Sequence, residues 1–214
     1  MISYKKKFIF IHIPKTGGLS VRRCLRPLVD EQNFSISGHS TIETLEKFLS
    51  RRKKECSNYF RFAFIRDPVD RLISAFHFLQ NGGINKYDKE WSEKLGLKKY
   101  SFEEFVLSKL DKLTLKKDLA PVHFLQQVYF ISGSSFPINL FKFENLKESM
   151  LYILSFLGVE PSLLKMQHAN RGKYNKNINR HLDNHIVNKI KEIYPEDFEL
   201  YYSCNGFLKI FHQQ

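Results

Sequence analysis

Two short stretches of this sequence carry residue types that hold anions, and each directly follows an apolar run. The first reads Ile13-Pro14-Lys15-Thr16-Gly17-Gly18-Leu19-Ser20 and continues the apolar residues 8–13. A run this short, stopped by proline and glycine, reads as a buried strand ending in a tight turn. Parallel sheets place ligands at the carboxyl ends of their strands. Adjacent glycines let the backbone come close to a ligand, and the N–H groups that open the next helix then face it. Lys15 adds a full positive charge, and Thr16 and Ser20 add hydroxyls. This is not a Walker A loop, which sets four residues between its first glycine and a Gly-Lys pair; here the lysine precedes the glycines. The chemistry indicated is an anion cradle without the ordinary ATPase loop. Read as structure alone, the same residues make a tight turn with an exposed lysine.

The second stretch is Phe64-Ile65-Arg66-Asp67-Pro68-Val69-Asp70-Arg71-Leu72-Ile73-Ser74. Arg66 falls where a strand ends, and Pro68 suits the first turn of a helix. A guanidinium is a planar, bidentate partner for phosphate. Ser74, about two turns into the helix, could add a hydroxyl. Charge-assisted hydrogen bonds contribute about 1.5–3 kcal/mol each, so two or three would hold a phosphate firmly. The competing reading makes Asp67 a helix cap with Arg66 as its surface partner. Arg71, on the same helix, could simply pair with Asp67 or Asp70 and is not assigned to a ligand.

The elements that must position these groups alternate along the chain. Residues 8–13, 59–65 and 138–143 read as strands. Residues 20–28, 41–53, 68–80, 144–157, 182–194 and 197–204 read as helices. Ile42, Leu45, Phe48 and Leu49 fall on one face of the second helix. Ser101-Phe102-Glu103-Glu104 opens a further helix with a capping-box pattern, and 84–100 reads as a charged insertion. Strands alternating with helices give an α/β class with a parallel sheet flanked by helices. No repeat, low-complexity tract or domain boundary shows along residues 1–214.

The bulk composition is globular: of 214 residues, 43% are hydrophobic and 26% charged. A net charge of +12 speaks of partners rather than fold. Nucleic acid, an anionic membrane surface, and anionic small molecules or polysaccharides all fit it, as does a merely solvated lysine-rich surface. Cys24, Cys56 and Cys204, odd in number and widely spaced, make neither a disulfide framework nor a zinc site. No apolar run approaches the roughly 18 residues of a membrane span, and 8–13 is too short for a signal-peptide core. A cytosolic location is therefore expected.

Taken together, Pro14-Lys15-Thr16-Gly17-Gly18 with Ser20, then Arg66-Asp67-Pro68 with Arg71 and Ser74, resemble the carbohydrate sulfotransferases. The heparan sulfate 2-O-sulfotransferase branch and its bacterial soluble relatives are most similar. Leu125-Gln126-Gln127-Val128-Tyr129-Phe130, Phe143-Glu144-Asn145-Leu146 and the segments 191–194 and 197–201 extend the resemblance over nearly the whole chain. Leu19 departs from the family, where threonine or another small residue is common, and a backbone contact there would survive the change. The resemblance implies a single sulfotransferase domain over 1–214, with a P-loop-like parallel sheet. It implies a donor, 3′-phosphoadenosine-5′-phosphosulfate (PAPS, leaving as PAP), and a glycan or other hydroxyl acceptor. The first loop (Lys15, Thr16, Gly17, Gly18, Leu19 and Ser20) would bind the 5′-phosphosulfate, and Arg66 with Ser74 the 3′-phosphate. Asn170-Arg171-Gly172-Lys173 resembles the basic glycine loop that closes over the nucleotide, so Arg171, Gly172 and Lys173 join the expected donor site.

Sulfuryl transfer needs in-line positioning, stabilisation of the leaving phosphate and a base for the attacking hydroxyl. Lys15 is placed for the second task. For the third, Gly38-His39-Ser40 matches the Gly-His context of related enzymes, and an ordinary imidazole suits proton removal near neutral pH. His12 and His77 read as packed histidines, and His123 as packed or lining the acceptor groove. His181 and His185 share a spacing of four but have no third ligand, so no metal site is expected. Two other classes stay open. A nucleotide-dependent phosphotransferase would need a complete Walker A loop and a magnesium carboxylate. A basic module binding nucleic acid or acidic polymers would be indifferent to His39, but the lysines are dispersed and no nucleic-acid motif is present.

Overall fold

Alternation of phenylalanine with other apolar residues builds the centre of the sheet. The computed structural model describes residues 1–29, 38–114, 120–160, 182–204 and 207–210. Its strands are β1 (Ile2–Ser3), β2 (Phe8–Ile11), β3 (Phe60–Ile65), β4 (Ile138–Lys142) and β5 (Phe207–Ile210), side by side in that order. The three sequence-predicted strands form the parallel centre, with Phe10 opposite Phe62 and Phe64 opposite Phe141. The edge strands β1 and β5, absent from the sequence reading, pair antiparallel. The two residues of β1 are too few to show periodicity.

Successive strand residues face opposite ways. Phe8, Phe10, Phe62, Phe64 and Phe141 therefore share one face, where the rings of Phe10 and Phe62 stack at 5.2 Å. Two helices cover that face: α1 (Gly18–Leu25), through Val21, Cys24 and Leu25, and α8 (Leu146–Phe156), through Met150, Ile153 and Leu154. The opposite face carries Arg61, which is buried. Its Nε donates to Glu46 Oε1 at 2.7 Å and its Nη1 to the Tyr59 carbonyl at 2.8 Å. Glu46 belongs to α2 (Ile42–Arg51), whose buried face is Ile42, Leu45, Glu46 and Leu49. Phe48, expected on that face, is instead half-buried beneath the Arg52 guanidinium, 3.8 Å from its ring centroid. The buried carboxylate takes the place that hydrophobicity alone would give to Phe48.

The described residues of 1–66, 127–160 and 200–210 form one compact unit, which holds the whole sheet. Those of 67–126 and 182–199 form a second, helical unit. Its core gathers Leu72, Phe76, Leu79, Phe105, Phe124 and Ile190. It is built on α3 (Pro68–Gln80), α4 (Lys86–Leu95), α5 (Phe102–Phe105), α6 (Asp111–Thr114) and α9 (Asn184–Ile193). The capping box at Ser101 and Glu104 is present. Residues 84–100, read as an insertion, are largely α4, which is capped by Asn85, closed by left-handed Gly96 and laced by the pairs Lys86–Glu90 and Lys89–Glu93. A helix stabilised by caps and charge pairs carries little apolar period to read. Short α7 (Gln127–Ile131) belongs to the first unit, and α10 (Pro195–Ser203) ends the helical series. Among the described residues no helix is long and apolar enough to cross a membrane.

Glu46 and Arg61 are a buried pair, so removing one partner strands a buried charge. Glu46→Ala is expected to lower unfolding stability by about 3 kcal/mol, read as a shift in the urea midpoint at unchanged slope. A change within about 0.5 kcal/mol, the range of ordinary surface substitutions, would contradict this account of the pair.

Candidate functional site

From Ile11, the end of β2, the chain passes through His12, Ile13 and Pro14 into the turn before α1. Lys15 and Gly17 both have left-handed backbone, with φ of 69° and 78°. That conformation is free for glycine and costs other residues about 1–2 kcal/mol, so Lys15 is strained and must be held by its surroundings. One hold is visible: the Lys15 carbonyl accepts from Arg66 Nη1 at 3.4 Å. Thr16 is fully buried, and its hydroxyl donates to the Ile13 carbonyl at 2.9 Å. That proton, expected from the sequence to face a ligand, braces the turn.

Gly17 caps α1, and the N–H groups of Ser20 and Val21 donate to its carbonyl. A side chain at Gly17 would meet the Phe143 ring at 2.7 Å, and one at Gly18 would meet His12 Cδ2 at 1.8 Å. Both glycines are therefore required by close approach, and Gly17 by its φ as well. The first turn of α1 contains no acidic residue, and Arg22 and Arg23 lie in its last turn. The positive end of the helix dipole thus meets no carboxylate of its own helix. Ser20 is buried in that first turn, with Leu19 half-buried beside it.

Arg66 is brought to the same turn. Its backbone is clamped by Gln127, a fully buried side chain: Arg66 N donates to Gln127 Oε1 at 2.9 Å, and Gln127 Nε2 donates to the Arg66 carbonyl at 3.0 Å. The carboxamide thus acts as a neighbouring strand where β3 has ended. The guanidinium stands 4.8 Å from the Phe143 ring centroid, within cation–π range. The ends of β2, β3 and β4 therefore contribute Lys15, Arg66 and Phe143 to one place. Gln127 and Phe143 are site residues that the motif reading missed. The available signal was a glutamine beside an apolar run, since a buried polar side chain must find hydrogen-bond partners.

The rest of the second motif belongs to the helical unit. Asp67 caps α3, accepting from the N–H groups of Val69 and Asp70 at 3.0 Å. Arg71 does not pair with Asp67 or Asp70 as expected. It is buried, lies 3.6 Å from Asp197, and donates to the Leu125 carbonyl at 2.8 Å. The helix turns it inward, while capping engages the Asp67 carboxylate. Ser74 is half-buried on α3. His77 contacts Phe76 edge-on, and His123 is buried with its ring 5.0 Å from that of Phe78. Arg171, Gly172, Lys173 and His181 lie outside the described residues.

His39 lies in the turn before α2, and its Nδ1 is 3.0 Å from the His12 carbonyl. A carbonyl only accepts, so Nδ1 carries the proton and Nε2 of the neutral ring carries the lone pair. The two imidazoles lie 4.3 Å apart, centroid to centroid. Burial holds the His12 pKa well below the usual 6.5, and the neighbouring His39, Arg22 and chain-terminal ammonium push it the same way. A backbone hydrogen bond with Gly38 opposes them.

A glycine turn between a parallel strand and a helix, with the Arg66 guanidinium reaching the Lys15 carbonyl within it, marks the strand ends of this α/β fold. The family model described as "Sulfotransferase family" matches residues 1–203, and the chain belongs to that family. It is 22% identical to mouse carbohydrate sulfotransferase 11 over 242 aligned positions, covering 95% of this chain and 67% of that protein. It is 32% identical to chicken carbohydrate sulfotransferase 10 over 127 positions, 48% of this chain and 35% of the relative. No solved structure matches.

Two measurements check the local geometry. Gly18→Ala places a methyl against the His12 ring, so a clear fall in melting temperature is expected; an unchanged value would contradict the close approach. For His12 the folded pKa lies below the unfolded one, so the unfolded chain binds more protons and stability falls as pH drops below about 6.5. Urea midpoints at about pH 7.5 and 5.5 should fall further for the wild type than for His12→Phe, which removes this group's share. Equal falls would mean that His12 titrates alike in both states.

Proposed function

We propose that this sulfotransferase moves a sulfuryl group from PAPS to a carbohydrate hydroxyl. The observation that carries the donor assignment is the convergence of Lys15, the Gly17–Gly18 turn and Arg66 at the strand ends. The first turn of α1, which carries no acidic residue, suits a phosphosulfate, and a guanidinium beside it suits a second phosphate. The similarity to carbohydrate sulfotransferases 10 and 11 supports a glycan acceptor. The net charge of +12 supports an anionic partner.

PAPS supplies an activated sulfuryl group whose S–O bond to phosphate breaks as the new S–O bond to the acceptor forms. In this chain the Lys15 ammonium and the backbone N–H groups opening α1 neutralise charge on the departing phosphate oxygen. His39 Nε2 takes the proton of the attacking hydroxyl, and the His12 carbonyl, still accepting from Nδ1, supports the imidazolium that results. Arg66, its backbone fixed by Gln127, holds the 3′-phosphate, and the family resemblance proposes Ser74, Arg171, Gly172 and Lys173 for donor binding as well. We read the chain as one catalytic domain over 1–214. A cytosolic location agrees with its three free cysteines.

Calorimetric titration with adenosine 3′,5′-bisphosphate, beside ATP, tests the donor site. Wild type should bind the bisphosphate and discriminate against ATP, and Arg66→Ala should lose about 10- to 100-fold in affinity, the worth of one or two charge-assisted hydrogen bonds. Absence of binding by folded wild type would overturn the donor assignment. His39→Ala should lower kcat about 10²- to 10⁴-fold with bisphosphate affinity unchanged. Full activity without His39 would remove it as the base. Unchanged nucleotide affinity in Arg171→Ala would remove the 171–173 loop from the site.

A further inference from the structure

The His12 side chain has no role in the chemistry proposed above, yet several parts of the first unit meet on it. Its ring occupies the space a side chain would need at Gly18, with Cδ2 and Nε2 at 1.8 and 2.1 Å from the position of an added Cβ. The His39 ring lies 4.3 Å away, tilted by 43°, and the Phe10 ring stacks beneath it at 5.9 Å and 19°. The His12 carbonyl accepts from His39 Nδ1, and Gly38 contacts it through the backbone. One residue therefore touches the end of β2, the first turn of the anion cradle and the turn that carries the expected base.

We propose that His12 is a positioning residue for His39: its carbonyl selects the Nδ1–H tautomer, and its ring is the platform that sets the His39 plane and aims Nε2 at the acceptor hydroxyl. The proposal rests on the reading of His39 as the base. His12 does not serve as the base itself, because its Nε2 lies against the backbone of Gly18. A flat neutral ring suits the task. When His39 becomes an imidazolium, a neutral neighbour adds no repulsion, whereas a protonated one would place two cations about 4 Å apart. The groups facing His12 are His39, Arg22 and the ammonium of Met1, and all of them disfavour its charged form. The same ring, resting on Gly18, ties the position of the base to that of the donor cradle.

Substitution separates the two devices, because a variant keeps the backbone carbonyl and loses only the ring. His12→Ala should lower kcat by about 10- to 100-fold, the scale of a misplacement near 1 Å, while PAPS KM and bisphosphate affinity, which also feel the loss of the ring against Gly18, change by clearly less than kcat. His12→Phe restores a flat, untitratable ring and should recover kcat to within a few-fold of wild type. If His12→Ala does not fold, His12→Asn, which has no ring, carries the same expectation. Long-range proton–nitrogen NMR of wild type should find His39 in the Nδ1–H form at neutral pH. Wild-type kcat in the ringless variant would overturn the proposal, as would a loss of bisphosphate affinity as large as the loss of kcat, which would make the ring a prop for the cradle alone. So would an Nε2–H tautomer of His39. Activity that survives His39→Ala would instead overturn the base assignment, and the two failures are thereby told apart.

Discussion

Two rings stand where side chains would otherwise be: Phe143 against Gly17 and His12 against Gly18. The rest of the site depends on that close approach. Phe143 follows β4 and His12 follows β2, so the approach draws two strand ends against the first turn of α1. It leaves no room for any residue but glycine at either position, and it holds a lysine in left-handed backbone between His12 and the helix. The turn is rigid because its neighbours fill its space, and Thr16 closes it from within. Its shape is set by the protein's own packing.

Arg66 joins this arrangement through its backbone. Where β3 stops, Gln127 satisfies both its N–H and its carbonyl, so the side chain leaves the strand from a fixed point and reaches the Lys15 carbonyl and the Phe143 ring. Among the described residues, the two buried guanidiniums work differently. Arg61 meets Glu46 and Arg71 meets Asp197, each with carbonyls taking further donors. Such pairs specify how elements meet more than they add stability. One brings α2 to the sheet, and the other anchors α3 in the helical unit. Arginine thus serves as scaffold at two places and as a candidate ligand group at a third, and only its partners distinguish the roles.

The sequence was legible where the signal is local. The β2–turn–α1 segment, Pro68 at the start of α3, the Ser101 capping box and the three central strands all follow from neighbours within a few residues, through proline and glycine backbone preferences, caps and short apolar runs. Arg71 could not be resolved that way. Its carboxylate partner is Asp197, far along the chain, while the acids nearest in sequence are on the capping side of the helix. Phe48 was misplaced because an amphipathic pattern does not foresee a buried Glu46. The edge strand β1 was missed because two residues make no pattern.

By itself the sequence determined that a parallel α/β sheet presents a glycine turn with a lysine, and that an Arg-Asp-Pro strand end follows it. Proline and glycine torsions, hydrophobic period and side-chain charge are properties of short windows of chain. Only the tertiary structure decided that Arg66 reaches the Lys15 carbonyl 51 residues away, that Gln127 holds it from 61 residues away, and that His12 lies under His39. These depend on which strand ends the packing brings together, and no short window of sequence carries that distance.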